Sequence, residues 1–179
     1  MNYYIGQALG LAATVCTIVL PFFKKKWQIL ILNICVNAFI ALNFVLIGQI
    51  GSAAFLCTVA IFQSIDSMVH DVKGTPITLF EKVLFLLLYV GFGFFGMITA
   101  PSFVWEINTA NALELMPIVG ALMLMFSVFS KDEQTLRKFL LCNATIWTIY
   151  TAIVGSTAFF ADFIAMCSTA AALFKYRKK

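Results

Sequence analysis

Charged residues make up only 11% of this 179-residue sequence, whereas 62% of the residues are hydrophobic. The mean hydropathy is +0.97. A soluble globular protein needs more polar residues than this to cover its surface. Because backbone groups in lipid must be hydrogen-bonded within the chain, the composition predicts an all-α polytopic membrane protein.

Residues for metal binding or catalysis are also scarce. Histidine occurs once, the five cysteines include no CxxC pair, and the sequence shows no nucleophile paired with a catalytic base. We therefore predict no enzyme activity, no metal and no cofactor. The cysteines all lie in apolar runs and are predicted to be small buried hydrophobic residues: Cys16, Cys35, Cys57, Cys142 and Cys167.

Seven apolar segments can be recognised as membrane spans. They cover residues 3–23, 27–50, 52–70, 79–99, 113–130, 139–154 and 157–175. The first is not a signal peptide, because its basic cluster at 24–26 follows the apolar run. We therefore expect all seven spans to remain in the bilayer.

The basic residues predict the orientation of these spans. All twelve Lys and Arg fall in four places: 24–26, 73 with 82, 131 with 137–138, and 175 with 177–179. The positive-inside rule accounts for all of them only if the amino terminus is outside and the carboxy terminus is cytoplasmic. The net charge of +4 thus marks membrane ends, and nucleic-acid binding is not expected.

An internal repeat divides the chain into two similar halves. A shift of 107 residues, without a gap, superposes five identical pairs: Phe22 on Phe129, Lys24 on Lys131, Cys35 on Cys142, Gly48 on Gly155, and Ala54 on Ala161. Two triplets of the same orientation require an odd number of helices between them. The repeat therefore predicts two parallel three-helix bundles, residues 1–74 and 101–179, joined by a featureless, lipid-facing linker helix in residues 75–100.

A polar and aromatic stripe interrupts the sixth span. Asn143, Trp147 and Tyr150 are spaced i, i+4, i+7 and share one helix face. Such a stripe is costly against lipid, so it should face other helices or a cavity. The repeat superposes Asn43 on Tyr150, which predicts that these two flank one midplane cavity. Asp162 is a carboxylate inside the seventh span that needs a partner, a proton or a cation.

Several polar residues have two interpretations. Asn33, Asn37 and Asn43 in the second span can contact a solute or form hydrogen bonds between helices. Asp162 can likewise be a binding residue or an interhelical strut. Asp66 and His70 are one turn apart, as in a proton relay or at a solvated helix end.

Two prolines inside spans are candidates for gating. Pro117 removes the backbone donor at its position and frees the carbonyl of Leu113, which predicts a bend in the fifth span. Pro21 ends a stripe of small and polar residues in the first span, suited to close helix contact or to lining a path.

The chain resembles known membrane families. A repeated three-helix unit around a linker helix is similar to the SWEET, PQ-loop and PnuC-type transporters. The segment 115–120 (LMPIVG), followed by Trp147, Tyr150 and Asp162, is similar to the bacterial inner-membrane YgjV-type family. The sequence departs from the YgjV-type family at Tyr150 and Asn43, where histidine is expected. It also lacks the PQ dipeptide of the PQ-loop transporters. The resemblance implies a fold and an inner-membrane location but no substrate.

These observations lead to one functional hypothesis and one alternative. The first is a small-solute transporter or facilitator with a midplane site between two bundles. The alternative is a non-transporting membrane protein that acts as an assembly or regulatory partner, in which the polar stripes serve only for packing. The expected partners are the lipid bilayer and a small polar solute. The identity of the solute, the energy coupling and the formation of a homo-oligomer are left open.

Overall fold

The computed structural model describes residues 2–19, 26–106, 108–129 and 133–175. Within these residues the chain forms seven α-helices and no β-strand. The helices are α1 (Asn2–Val19), α2 (Lys26–Leu46), α3 (Ser52–Lys73), α4 (Leu79–Thr99), α5 (Thr109–Phe129), α6 (Glu133–Val154) and α7 (Phe159–Lys175). The all-α prediction is confirmed.

In the described part of the chain, three helices are long and apolar enough to cross a membrane. They are α3 over Ser52–Lys73, α4 over Leu79–Thr99, and α5 over Thr109–Ser127. Large apolar side chains on α4 are exposed, including Phe80 and Leu87 at 75% and 63%. Such a surface is stable against lipid tails, which are as apolar as the side chains themselves.

The helix bounds differ from the predicted spans mainly at charged and glycine positions. α4 has the predicted bounds. α6 begins at Glu133, ahead of the predicted start at 139, because charged residues can extend a helix beyond the apolar layer. α2 ends at Leu46, before the predicted end at 50. Pro21, with the end of the first predicted span, lies outside the described residues.

Two glycines end α2 and α6 in the same way. Gly48 and Gly155 have φ of +83° and +71°, in the left-handed region that favours glycine. In both turns the N–H of the next residue donates to the carbonyl five residues earlier, over 2.8 and 3.0 Å. This pair of Schellman motifs occurs at positions that the repeat superposes.

The contacts between helices follow a two-fold pattern. Consecutive helices pack in each triplet (α1 on α2 on α3, and α5 on α6 on α7), and α4 packs on α3 and α5. The triplets meet through α1 with α7 and α3 with α5. Replacing each helix by its counterpart in the other triplet converts the first of these contacts into the second.

The cysteines are only partly as predicted. All five are free, and Cys57 is buried. Cys142 and Cys167 are exposed, so the prediction that every cysteine is buried was wrong. These two lie on outward faces of α6 and α7, because an apolar run in the sequence does not show which of its residues face the protein core.

Candidate functional site

A cavity of about 150 Å³ lies between helices of both triplets. Four of the predicted binding residues line it: Asn37, Asn143, Trp147 and Asp162. The rest of its wall is mainly apolar and consists of Asn33, Val36, Ile40, Leu56, Cys57, Ala60, Tyr89, Ala121 and Leu124. Of the predicted stripe of α6, Asn143 and Trp147 therefore face the cavity, whereas Tyr150 does not.

Two pairs of residues related by the repeat line the same cavity. Val36 and Asn143 lie 107 positions apart, as do Ile40 and Trp147, and all four line the cavity. The second triplet supplies an amide and an indole where the first supplies aliphatic side chains. The two triplets thus line the cavity at corresponding positions but with different types of side chain.

Trp147 and Asn143 form the polar side of α6. The indole ring of Trp147 packs against Phe44 and Tyr150, with centroids 6.3 and 6.0 Å away. Gly120 makes room for it, because a Cβ there would lie 2.9 Å from Trp147 Nε1. Asn143 Oδ1 is buried and accepts no hydrogen bond from the described residues.

Asp162 lies in the first turn of α7 and is joined to α6 by Thr151. The fully buried Thr151 Oγ1 lies 3.1 Å from Asp162 Oδ2 and 2.7 Å from the carbonyl oxygen of Trp147. The N-terminal end of a helix favours a carboxylate. The carboxylate is therefore fixed one turn from Trp147 along α6.

The asparagines of α2 have different partners. Asn33 Nδ2 donates to Ser64 Oγ on α3 over 2.8 Å, so Asn33 holds two helices together. Asn37 Nδ2 donates to the backbone oxygen of Asn33 over 2.8 Å. Its Oδ1 accepts no hydrogen bond from the described residues. Asn37 therefore has a free acceptor on a side chain that lines the cavity.

Asn43 and Tyr150 are fully buried but are not among the residues that line the cavity. Asn43 Nδ2 donates to the carbonyl of Gly6 over 2.8 Å, and Ser156 Oγ donates to Asn43 Oδ1 over 2.5 Å. Tyr150 packs on Phe44, with ring centroids 5.7 Å apart. The structure thus places both residues in the packing behind the cavity, where Asn43 links α1, α2 and the turn before α7.

Two matching contacts join the triplets. Thr157 donates from its N–H to Gln7 Oε1 over 2.8 Å and from its hydroxyl to the Gln7 carbonyl over 2.6 Å. Ser52 makes a similar contact with Glu114: its N–H donates to Oε2 over 2.8 Å, and its hydroxyl lies 2.6 Å from the carbonyl oxygen and 2.7 Å from Oε2. We call these the paired contacts, and the end of the molecule that holds them the turn end.

The paired contacts correct the ungapped alignment. Gln7 and Glu114 are 107 positions apart, but Ser52 and Thr157 are 105 apart. Thr157, the donor in the second triplet, therefore follows Gly155 by two residues, whereas Ser52 follows Gly48 by four. The sequence analysis gave Glu114 no role, although the 107-residue offset from Gln7 could have identified it. Glu114 is 4% exposed, so its carboxylate is buried at the contact between α3 and α5.

Asp66 and His70 are part of a larger group that joins the end of α3 to the start of α4. His70 Nε2 lies 2.8 Å from Glu81 Oε1 and 3.9 Å from Asp66 Oδ1. Glu81 also forms a capping box with Thr78. In the described part of the chain, Asp66, His70 and Glu81 are the one group of three His, Cys, Asp or Glu residues close enough to share a metal ion. His70 and Glu81 already join the two helices, which favours the helix-end interpretation.

Two further predictions concern α4 and α5. Tyr89 of α4 is fully buried, donates to Gln63 Oε1 over 2.6 Å and lines the cavity. The fourth helix therefore contributes to the site in addition to its lipid-facing side. Pro117 is fully buried inside α5, and the helix continues through it.

Comparison with known proteins identifies a family. No curated protein and no solved structure matches the chain. A family model described as "Imp-YgjV: Bacterial inner membrane protein" matches residues 4–179. This match agrees with the apolar helices and with the resemblance of the 115–120 segment. The chain belongs to the Imp-YgjV family of bacterial inner membrane proteins.

Proposed function

We propose that this protein is a small-solute transporter or facilitator in which two three-helix bundles, joined by α4, rock about the central cavity. The observation that carries the proposal is the position of the cavity, whose wall is built from both triplets and includes two pairs of residues that lie 107 positions apart. In transporters built from parallel repeats, the solute binds at such an interface near the midplane.

The paired contacts supply a gate in this proposal. They lie at the turn end, and Asp162 on the cavity wall is five residues beyond Thr157, about 8 Å along a helix. The positive-inside rule, applied to the basic residues of the sequence, predicts that the turn end is outside. We therefore propose that the structure represents a state in which the outer entrance is closed.

The energy of such a gate is suited to reversible opening. Hydrogen bonds between membrane helices contribute about 0.6 to 2 kcal/mol each. Four such bonds at the paired contacts give a few kcal/mol in total. An open state that lies a few kcal/mol higher is a minor population that a bound solute can select. Pro117, which lies 107 positions from Gly10 of α1, is the proposed hinge in α5.

Solute flux through proteoliposomes tests the proposal. Stopped-flow light scattering would measure swelling with a panel of isosmotic polyols, amino acids and short amine salts. We expect at least one solute to enter wild-type vesicles, and Trp147→Ala to reduce its rate to that of protein-free vesicles. Trp105→Ala is the matched control, because Trp105 is 83% exposed in a loop. Folding is checked by elution as a monodisperse peak.

Two outcomes would overturn the proposal. One is equal flux in the wild type and Trp147→Ala, since the cavity would then not be the path. The other is the absence of flux for the whole panel. Co-purification of a stable protein partner in that case would favour the alternative, a non-transporting assembly or regulatory protein.

A further inference from the structure

We propose that the cavity binds a small organic cation, a primary ammonium group on a short apolar chain. This inference rests on the proposed function, because it names the substrate class of the same site. It comes from the charge, the free acceptors, the aromatic surface and the volume of the cavity.

The charge of the wall points to a cation. Among the described residues that line the cavity, Asp162 is the one carboxylate, and none is Lys, Arg or His. Thr151 gives Asp162 a neutral hydrogen-bond partner and no counter-ion. A carboxylate in a mainly apolar surrounding is stabilised by a positive charge at short distance. An anionic solute would be repelled from the same wall.

The hydrogen-bond acceptors specify a donor. Oδ1 of Asn37, Oδ1 of Asn143 and the second carboxylate oxygen of Asp162 accept no hydrogen bond from the described residues. A primary ammonium group carries three N–H donors and no acceptor, so it complements this set. Rotating the Asn143 amide would exchange its oxygen and nitrogen but would leave the charge of the wall unchanged.

The remaining wall suits the rest of such a molecule. Trp147 lines the cavity, and an indole is the side chain that attracts cations most strongly through its ring face. Aliphatic residues of α2 and α3, including Ile40 and Leu56, complete the wall. They would contact a short alkyl chain and exclude water from it.

The volume limits the size of the ligand. An apolar protein cavity of about 150 Å³ can hold benzene, and the cavity here has about the same volume. The ligand should therefore have about six non-hydrogen atoms. A hexose has about twice as many and does not fit. A bare divalent cation would require about six oxygen ligands at short distance, whereas three oxygens of the described wall accept no hydrogen bond.

Ligand-dependent thermal unfolding of the purified full-length chain tests the proposal. The probes are propylammonium chloride, its neutral analogue 1-propanol, its anionic analogue sodium propionate, and NaCl and KCl alone. We expect a saturable rise in Tm with propylammonium only, because a ligand that binds the folded state raises Tm with its concentration. An equal rise with propanol or propionate would overturn the proposal. A rise with NaCl or KCl alone would assign the site to a metal ion instead.

Variants connect the binding to the named residues. We expect Asp162→Asn to weaken propylammonium binding by at least tenfold, which is about 1.4 kcal/mol. Trp147→Leu should weaken it about tenfold and Trp147→Phe much less, because phenylalanine keeps an aromatic face. Asp66→Asn, a carboxylate outside the cavity, should leave the affinity unchanged. Unchanged affinity in both Asp162→Asn and Trp147→Leu would contradict the assignment. The two Trp147 variants keep the test valid if Asp162→Asn fails to fold.

Binding and flux separate this inference from the proposed function. Propylammonium binding at Asp162 without any flux would retain the cation site and refute transport. Flux of another solute through the cavity, without competition by propylammonium, would retain transport and refute the substrate class.

Discussion

Gln7 and Glu114, 107 residues apart, each accept a backbone and a hydroxyl hydrogen bond from one residue of the opposite triplet, Thr157 just before α7 and Ser52 at the start of α3. One provides an amide oxygen and a carbonyl, the other a carboxylate oxygen and a carbonyl. The weak repeat in the sequence thus corresponds to the same chemistry at two places in the structure. The difference in charge between the two side chains is the main asymmetry of the pair.

The isosteric substitution Glu114→Gln tests whether the charge matters to stability. It makes the two contacts alike and keeps an oxygen for the N–H of Ser52. We expect the free energy of unfolding, measured by denaturant titration in detergent, to change by less than about 1 kcal/mol. Glu114→Ala leaves a buried N–H unpaired and should cost about 1 to 3 kcal/mol. Equal effects of Gln and Ala would show that the side-chain hydrogen bond is not what stabilises the contact.

Close packing of α1 on α7 depends on Gly10. A Cβ at Gly10 would lie 2.8 Å from the backbone nitrogen of Ala158, whereas a Cβ at Gly91 of α4 would meet nothing within 4 Å. Overpacking typically costs about 1 to 3 kcal/mol. We therefore expect Gly10→Ala to lower the free energy of unfolding by that amount. Gly91→Ala is the matched control and should be neutral or slightly stabilising. Similar values for both variants would refute the close contact.

Asn43 and Asn37 should behave in opposite ways. Asn43 bonds to Gly6 and Ser156 and is fully buried, so Asn43→Leu should destabilise the fold by about 1 to 2 kcal/mol. The affinity of the remaining folded protein for a cavity ligand should be unchanged. Asn37→Leu should weaken ligand binding with a smaller loss of stability, because Asn37 bonds mainly within α2. Thermal unfolding with and without ligand measures both effects. Loss of affinity in Asn43→Leu alone would reverse these two roles.

Much of the fold could be predicted from the sequence because the bilayer imposes it. The bounds of α4 were predicted because a long apolar run lies between a proline-containing turn and Pro101. The helix bounds near 133 and 46 were less predictable, since charges do not end a helix and a left-handed glycine does.

The candidate site was predictable in part. Periodicity identified the face of Asn143 and Trp147, because a polar stripe must avoid lipid. Periodicity does not show how far a residue lies from the cavity, so Asn43 and Tyr150 were predicted to flank the cavity although they pack behind it. The partner of His70, Glu81, comes from the next helix, and local spacing does not predict such contacts.

In the proposed gate, the paired contacts close the outer entrance to the shared cavity. Cys57, a buried residue of the cavity wall, is a natural reporter of this closure. The measurement is its rate of modification in spheroplasts by a membrane-impermeant cationic methanethiosulfonate, with the other four cysteines replaced by alanine. Gln49→Cys, at an exposed position of the turn end, is the accessible control.

We predict slow modification of Cys57 in the wild-type background and a rate at least about tenfold higher in the double variant Gln7→Ala/Glu114→Ala, since each lost kcal/mol of gate energy raises the open population about fivefold. Thr99→Ala, whose hydroxyl bonds only to its own helix, should leave the rate unchanged. Equal rates for Cys57 with and without the paired contacts, or a wild-type rate as high as that of the Gln49→Cys control, would contradict the account.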